Sequence, residues 1–254
     1  MILEDRVALV TGGSRGIGRA ICTALAAQGA AVAVNYRSGQ SQAQEVVKEI
    51  EAAGGRAVAV GGDVSDYSEA EGVVEQTIGE LGGLHVLVNN AGISRDALIF
   101  NMEPEDWLAV MKVNFGGVFN CTKAAMSHFM GQRDGSIINI SSVMGERGWI
   151  GESNYSASKG AVNAFTRCCA VELARFNVRV NAILPGFAPT ELVSELVEKG
   201  GKAIKKQIPL RDFADVDEIA SLAVYLASPG ARYMTGVLVP VDGGAAATLG
   251  LGRP

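Results

Sequence analysis

Tyr155 and Lys159 are the pair of side chains in this sequence best placed to transfer a proton. They stand four residues apart, a spacing that puts two side chains on one face of a helix. A phenol has a reference pKa of about 10, so it is a poor acid or base at neutral pH. A nearby ammonium group favours the phenolate and lowers that pKa. Taken alone, however, a Tyr-x-x-x-Lys pair is far more often a solvated pair on a helix surface.

Two further polar positions could act on the same reacting oxygen. The apolar run Ile137–Ile140 predicts a buried strand, and Ser141 and Ser142 follow it directly. A hydroxyl group at the carboxyl end of a strand can stabilise negative charge as it develops on a substrate oxygen. Asn114 stands among apolar helix residues, where a buried amide needs hydrogen-bond partners.

A glycine-rich turn follows the first apolar run, Val7–Val10, and leads into a helix. Gly12 permits a tight turn, while Gly16 and Gly18 remove side chains where the backbone must approach a pyrophosphate. The helix that begins there offers unpaired N–H groups and the positive end of its dipole. A glycine triplet alone is weak evidence, but its position between a strand and a helix predicts a nucleotide site.

The elements that position these residues alternate along the whole chain. Short, continuously apolar runs predict strands buried on both faces of a parallel sheet, at Val7–Val10, Ala31–Asn35, Ala57–Val60, His85–Asn89, Ile137–Ile140, Arg179–Leu184 and Val237–Val241. Helices are predicted between them, at Gly16–Gln28, Gln42–Ala53, Ser68–Leu81, Pro104–Met130, Tyr155–Phe176 and Val216–Leu226. This order predicts an α/β fold, a single-domain doubly wound (Rossmann) parallel sheet over residues 1–254 with helices on both faces. Short helical pieces and prolines at 186–210 indicate a lid segment, or else an ordinary surface excursion.

Composition excludes several classes of function. The chain has 254 residues and a formal net charge of −5, which argues against a general nucleic-acid surface. It contains no apolar run of the ~18 residues that a membrane span requires, and its first residues carry no signal-peptide pattern. Two histidines cannot supply a His-rich metal site, and we expect no metal. The four cysteines suggest reduced, packed thiols in a cytoplasmic protein: Cys22, Cys121, Cys168 and Cys169.

The motifs, in this order, resemble the short-chain dehydrogenase/reductase family over nearly the whole chain. The glycine spacing is Gly-x-x-x-Gly-x-Gly, Asp63-Val64 follows the third strand, and Asn89-Asn90-Ala91-Gly92 follows the fourth. Pro185-Gly186 follows the sixth strand, and Thr190 matches a residue that often contacts the nicotinamide carboxamide. The resemblance implies cofactor contacts from Gly12, Ser14, Arg15, Gly16, Ile17, Gly18, Tyr36, Arg37, Asp63, Val64, Asn90, Ala91, Gly92, Tyr155, Lys159, Pro185, Gly186 and Thr190.

The end of the second strand bears on the choice between NAD and NADP. An acidic residue there would bind the ribose 2′-hydroxyl and repel a 2′-phosphate. Tyr36 occupies the place where NAD-using relatives carry aspartate, and Arg37 follows it. A guanidinium can form two hydrogen bonds to a phosphate, and Arg15 in the glycine turn points to the same region. We therefore expect NADP(H), although both arginines could be solvated surface charges.

Asn114, Ser142, Tyr155 and Lys159 match all four members of the family's catalytic tetrad. The resemblance implies that Tyr155 protonates a carbonyl oxygen oriented by Ser142. It implies that Lys159 tunes Tyr155 and holds the ribose, and that Asn114 holds a water in a proton relay. The alignment assigns the catalytic role to Ser142, which leaves Ser141 as a strand-end hydroxyl bonded within the protein.

The segment Asn90-Ala91-Gly92-Ile93-Ser94-Arg95-Asp96 is typical of β-ketoacyl-ACP reductases and of similar acetoacetyl-CoA reductases within that family. We therefore expect NADPH-dependent reduction of a β-ketoacyl thioester, as in fatty acid biosynthesis. Alternatives are a relative acting on a sugar, polyol, steroid or xenobiotic carbonyl, and a non-catalytic nucleotide-binding scaffold. Arg95 and Asp96 could equally be an ion pair that shapes a loop.

Partners follow from the same resemblance. Acyl carrier protein is acidic, and Arg133 matches a basic docking position, whereas the second such position holds Phe176, near Arg175 and Arg179. The lid segment also contains a run of lysines, Lys199, Lys202, Lys205 and Lys206. These could bind acidic side chains of the carrier protein or the phosphates of CoA, or they could form a solvated helix face. Substrate-side, core or subunit-contact roles are equally open for Met144, Trp149, Ile150, Phe187 and Leu192. Because relatives are commonly homotetramers, the resemblance also implies a homotetramer. The sequence of the tail 245–254 indicates no role.

Overall fold

One parallel sheet forms the centre of the molecule. The structure is a computed structural model that describes residues 1–190 and 194–248, with 194–200 described by their backbone only. Within those residues, the sheet has the strand order β3-β2-β1-β4-β5-β6-β7. The strands are β1 Val7–Val10, β2 Ala31–Tyr36, β3 Arg56–Gly61, β4 Val86–Asn89, β5 Gly135–Ile140, β6 Val178–Pro185 and β7 Leu238–Val241. The helices are α1 Gly16–Ala27, α2 Gln40–Ala52, α3 Tyr67–Leu81, α4 Pro104–Met111, α5 Gly117–Gln132, α6 Ser153–Leu173, α7 Ser194–Gln207 and α8 Val216–Ala227.

Both faces of the sheet are covered, which explains why its strands are continuously apolar. In β1, Ala8 and Val10 pack into a core shared with α1, α2 and α8. Val7 and Leu9 point to the other face and pack into a second core with α3, α5 and α6. Every residue of β1 is therefore buried even though successive side chains alternate. The predicted doubly wound fold is confirmed.

Local capping signals set the ends of two of these helices. The Asp66 carboxylate accepts hydrogen bonds from the backbone N–H groups of Ser68 and Glu69, which otherwise lack partners at the start of α3. Gly82 ends the same helix in the left-handed conformation, at φ 87°. Asp215 and Glu218 form a reciprocal capping box at the start of α8.

Two predicted elements differ from the structure. The predicted helix Pro104–Met130 is divided into α4 and α5 by a π-helical turn at Lys112–Gly116, which contains Asn114. In the part of the predicted lid segment that the structure describes, residues 194–207 form one helix of 14 residues, α7, rather than short pieces. Gly200 and Gly201 suggested a break, but the helical backbone continues through them. The burial of Ile204 and Ile208 shows that packing outweighs low helix propensity here.

The amino edge of the sheet, opposite the ends where the strands terminate, contains both histidines. His85 Nδ1 accepts the Val7 N–H at 3.1 Å, and His128 Nε2 accepts the Leu84 N–H at 3.1 Å. Each ring nitrogen used in this way must be unprotonated. The Arg6 guanidinium forms an ion pair with Asp134 nearby.

The remaining predictions from composition can be compared with the described residues. Across 1–190 and 194–248, no group of three or more His, Cys, Asp or Glu is arranged to hold a metal ion. No helix in that part of the chain has the length and apolar character to span a membrane. Cys22, Cys121 and Cys169 are buried free thiols, but the prediction that all four cysteines are packed is wrong for Cys168, which is exposed on α6.

Candidate functional site

A cleft of about 600 Å³ opens at the carboxyl ends of the strands. It lies where β1 and β4 are neighbours and the chain connections leave the sheet in opposite directions, the usual ligand position in such folds. Every predicted cofactor contact lines it, namely Gly12, Ser14, Arg15, Gly16, Ile17, Gly18, Tyr36, Arg37, Asp63, Val64, Asn90, Ala91, Gly92, Tyr155, Lys159, Pro185, Gly186 and Thr190. Ser142 also lines the cleft, whereas Asn114 is buried behind it.

The glycine turn shows different reasons for its glycines. Gly12 and Gly16 have φ near +60° and +53°, which favour glycine over residues with a Cβ. A Cβ at Gly18 would lie 2.3 Å from the Gly12 carbonyl oxygen, so Gly18 allows α1 to pack on the turn itself. A Cβ at Gly16 would meet the methyl group of Thr190 at 3.4 Å, an ordinary contact. The prediction that Gly18 makes room for a ligand is therefore replaced by a packing reason.

The amino end of α1 suits an anion. Within the described residues, the first turn of this helix holds no acidic side chain and its N-cap position gives no side-chain cap. The first N–H groups of a helix need partners, and the helix dipole places partial positive charge there. A phosphate group is therefore a fitting ligand for this wall of the cleft.

The end of β2 supplies a cation to the rim of the cleft. The Arg37 guanidinium lies 3.8 Å from the Asp63 carboxylate, with 59% of the arginine side chain exposed. Tyr36 lies against Gly61 at the neighbouring end of β3. Because the ion pair that holds Arg37 among the described residues is long and solvated, the guanidinium can turn towards a bound phosphate at low cost.

Tyr155 and Ser142 meet at the far wall of the cleft. Ser142 follows β5 in extended conformation and accepts the Met144 N–H at 3.1 Å. Tyr155 and Ser142 line the same cleft, and the Ser142 side chain acts to lower the pKa of the Tyr155 phenol. Burial raises the pKa of the Tyr155 phenol, and the charge of Glu152 raises it further. The phenol is therefore neutral at physiological pH and available as a proton donor.

Lys159 lies one turn further along α6 and is 4% exposed. Its ammonium donates to the Ile140 carbonyl oxygen at 2.8 Å and lies 5.6 Å from the centre of the Tyr155 ring. Burial lowers the pKa of Lys159 to about 8. The expected lowering of the phenol pKa by this ammonium is not found: burial and then the Glu152 charge raise the pKa of Tyr155, and the side chain that lowers it is Ser142.

Asn114 is completely buried in the π-helical turn and fastens the loop that follows β4. Its Oδ1 accepts the Ile93 N–H at 2.8 Å, and its Nδ2 donates to the Ile93 carbonyl at 3.0 Å. Nδ2 also lies 3.2 Å from the Ser158 hydroxyl on α6. The side chain thus joins the β4 loop, the α4–α5 junction and α6.

Ser141 lines the cleft, but its hydroxyl is bonded within the protein. It donates to Asn163 Oδ1 at 2.6 Å and lies 3.1 Å from the Lys159 carbonyl oxygen. This geometry agrees with the interpretation of Ser141 as a strand-end hydroxyl satisfied by the protein.

Sequence reasoning missed two buried amides that support the cleft. Asn35 Oδ1 accepts the Gly12 N–H at 3.3 Å, and Asn35 Nδ2 donates to the Val60 carbonyl at 3.2 Å. Asn139 Oδ1 accepts from Asn89 across β4 and β5, and Asn139 Nδ2 donates to Thr166 on α6. A polar residue inside an apolar strand was the available signal, because such a residue must find partners. Other cleft residues absent from the prediction include Ser38, Gly39, Gln42, Gly62, Ile93, Val113, Ile140 and Ala188.

The residues predicted for the substrate side are only partly brought together. The rings of Trp149 and Phe187 meet edge to face at 5.5 Å between centres. Met144 packs against the small core of Val143, Ala182 and Leu184, while Ile150 is 79% exposed. Leu192 lies outside the described residues.

The predicted docking cations lie in two places. Arg133 donates to the Arg175 carbonyl at 3.0 Å, just before β5 at the amino edge of the sheet. Arg179 donates to the Leu226 carbonyl at 2.7 Å and is largely buried, so it is not a surface docking group. On α7, Lys205 is paired with Asp212, whereas Lys202 and Lys206 are exposed. The side chain of Lys199 and the tail from 249 lie outside the description.

Comparison with known proteins gives a consistent result. The family described as short chain dehydrogenase matches residues 6–201. The chain is 45% identical to a 3-oxoacyl-[acyl-carrier-protein] reductase of Synechocystis sp., over 95% of this chain and 97% of the relative. It is 42% identical to the 3-oxoacyl-[acyl-carrier-protein] reductase FabG of Thermotoga maritima, over 96% and 99%.

A solved structure agrees closely with the fold. The gluconate 5-dehydrogenase of Burkholderia cenocepacia, crystallised with NADP and tartrate, superposes with a TM-score of 0.93 and 34% identity, covering 97% of both chains. With a family match over most of the chain and full-length relatives above 40% identity, the chain belongs to the short chain dehydrogenase family.

Proposed function

We propose that this protein is an NADPH-dependent reductase that converts a β-ketoacyl thioester to its β-hydroxyacyl form, as in fatty acid biosynthesis. The observation that carries the proposal is the presence of Ser142, Tyr155 and Lys159 in the same cleft as the glycine turn. The relatives named as 3-oxoacyl-[acyl-carrier-protein] reductases support the substrate class.

The residues of the cleft fit a dinucleotide with a 2′-phosphate. The start of α1 and the glycine turn that precedes it would receive the pyrophosphate, and Arg15 and Arg37 would bind the 2′-phosphate. A structural neighbour contains NADP, which agrees with that choice. When bound, NADPH supplies the hydride that reduces the carbonyl carbon.

The chain's own side chains handle the proton. The neutral Tyr155 phenol gives its proton to the carbonyl oxygen, and the Ser142 hydroxyl orients that oxygen and stabilises its charge. With a pKa of about 8, Lys159 is mostly protonated at neutral pH and would hold the ribose. Its positive charge would also stabilise the phenolate that remains after the proton has been given up. Asn114 keeps the β4 loop and α6 in register around this site.

Assembly and location extend the proposal. Exposed apolar side chains lie on α4, α5 and α6, at Leu108, Phe119 and Val171, and they support a homotetramer formed through these helices. Four free thiols support a cytoplasmic location. Light scattering in solution tests the proposed homotetramer, and a molecular mass that corresponds to a monomer would contradict it.

Steady-state turnover tests the function. We expect acetoacetyl-CoA and acetoacetyl-ACP to be reduced faster with NADPH than with NADH, and Tyr155→Phe to abolish turnover while leaving the melting temperature close to that of the parent. Because a structural neighbour is a gluconate 5-dehydrogenase, gluconate with NADP⁺ and simple ketones belong in the same panel. Reduction of only those other carbonyls would refute the thioester assignment.

A further inference from the structure

Glu152 is an acidic group beside the proton donor that the proposed mechanism does not use. It occupies the N-cap position of α6, three residues before Tyr155, so both side chains lie on one side of the first turn. Its Oε2 is buried and, among the described residues, has no hydrogen-bond partner. Burial, with a smaller contribution from Asp96, raises the pKa of Glu152 to about 7.

Asp96 is fixed close to this carboxyl group by the backbone. The Ala97 N–H donates to the Gly151 carbonyl at 2.9 Å, and the Asn154 side chain donates to the Arg95 carbonyl at 2.9 Å. These two bonds attach the loop after β4 to the start of α6. The neighbouring guanidinium of Arg95 is bound by Asp106 on α4 at 2.6 Å.

Tyr155 therefore lies between opposing influences. Burial and then the charges of Glu152 and, more weakly, Asp96 raise its pKa, whereas the Ser142 side chain lowers it. The Lys159 ammonium lies 5.6 Å from the centre of the Tyr155 ring. Asp96 from the β4 loop and Tyr155 from α6 are the titratable neighbours of Glu152 that this geometry identifies. A negative charge beside a phenol disfavours the phenolate.

We propose that Glu152 is a positioning residue that acts electrostatically through Tyr155, and that its ionised carboxylate keeps the phenol in the proton-donating form. The charge thereby favours carbonyl reduction and delays alcohol oxidation, which needs the phenolate as a base, to higher pH. This inference rests on the proposed function only in requiring Tyr155 as the proton donor.

The test is the pH dependence of kcat in both directions for Glu152→Gln, which removes the charge and keeps the shape. Two unit charges this close in a partly buried site are coupled by on the order of one pKa unit. We expect the alkaline limb of reduction and the acid limb of oxidation to move together to lower pH by about one unit. Oxidation on its acid limb should then be about tenfold faster than in the parent.

A matched control lies on the same helix. Glu172→Gln makes the same chemical change at an exposed position near the end of α6, and its pH profiles should superpose on those of the parent. If Glu152→Gln does not fold, Asp96→Asn provides the second variant, with a smaller shift in the same direction.

The inference would be overturned if the pH profiles of kcat for Glu152→Gln superposed on those of the parent. It would also be overturned if kcat fell while the acid and alkaline limbs stayed at the same pH. The profiles can be measured with any carbonyl that the enzyme reduces. If the protein does not reduce acyl thioesters but reduces another ketone, the proposed function alone is refuted. The pH dependence of kcat with that ketone would still decide the role of Glu152.

Discussion

Replacing Asn114 with leucine should destabilise the protein and slow turnover. The change puts an apolar side chain of comparable size at a fully buried site and removes three hydrogen bonds, of 2.8, 3.0 and 3.2 Å. At about 1 kcal/mol each, the loss is about 3 kcal/mol of unfolding free energy. For a chain of this size, that corresponds to a fall in melting temperature of roughly 6–12 °C. Turnover should fall because Ile93, released from Asn114, lines the cleft.

Differential scanning calorimetry and NADPH oxidation, measured on the same preparation, check this prediction. Asn181→Leu is the matched control, since Asn181 is equally buried and makes two side-chain bonds, to the Met234 carbonyl and the Val237 N–H, away from the cleft lining. The control should lose about 2 kcal/mol with unchanged turnover per folded molecule. An Asn114→Leu protein that melts within about 2 °C of the parent would refute the reasoning.

Three further outcomes are expected. Arg37→Ala should raise KM for NADPH roughly 10- to 150-fold and leave KM for NADH unchanged, since a charge-assisted bond contributes about 1.5–3 kcal/mol; equal effects on both cofactors would exclude a 2′-phosphate contact. Burial lowers the pKa of His85, so the unfolded chain takes up a proton before the folded protein does, and the free energy of unfolding should fall as the pH drops below about 6.5. The melting temperatures at pH 7.5 and 5.5, measured by calorimetry, should therefore differ less in His85→Gln than in the parent. Lys202→Glu with Lys206→Glu should raise KM for acetoacetyl-ACP severalfold but leave a small ketone unaffected, and parallel changes would rule out carrier docking on α7.

The sequence predicted the sheet and the lining of the cleft because both depend on short-range patterns. Continuous apolar runs identify strands with two covered faces, and glycines or polar residues directly after them mark the carboxyl edge. The bounds of β1 were predicted without error, and the other strands differ by one or two residues at an end. Gly12 and Asn90 could be assigned to one cleft on this basis, whereas Tyr155 was placed there by the resemblance to the short-chain dehydrogenase/reductase family.

Long-range effects could not be predicted in this way. The π-helical turn at Asn114 depends on bonds to Ile93 and Ser158, which are distant in the sequence. The upward pKa of Tyr155 depends on burial and on Glu152, neither of which the Tyr-x-x-x-Lys spacing reveals. Helix α7 crosses Gly200 and Gly201, where local propensity favours a break.

The two hydrophobic cores of the molecule separate the helix at the glycine turn from the helices that hold the acid–base residues. Helix α1, which begins at the glycine turn, packs on one face of the sheet, while α5 and α6, which flank Asn114 and carry Tyr155, pack on the other. Among the described residues, the two hydrophobic cores have no residue in common, and the strands between them contribute to both. Mutations that repack one layer can therefore alter dinucleotide selectivity while the acid–base apparatus stays fixed, and the reverse also holds. Because the two layers are separate, cofactor preference and substrate range can evolve independently in proteins that share this fold.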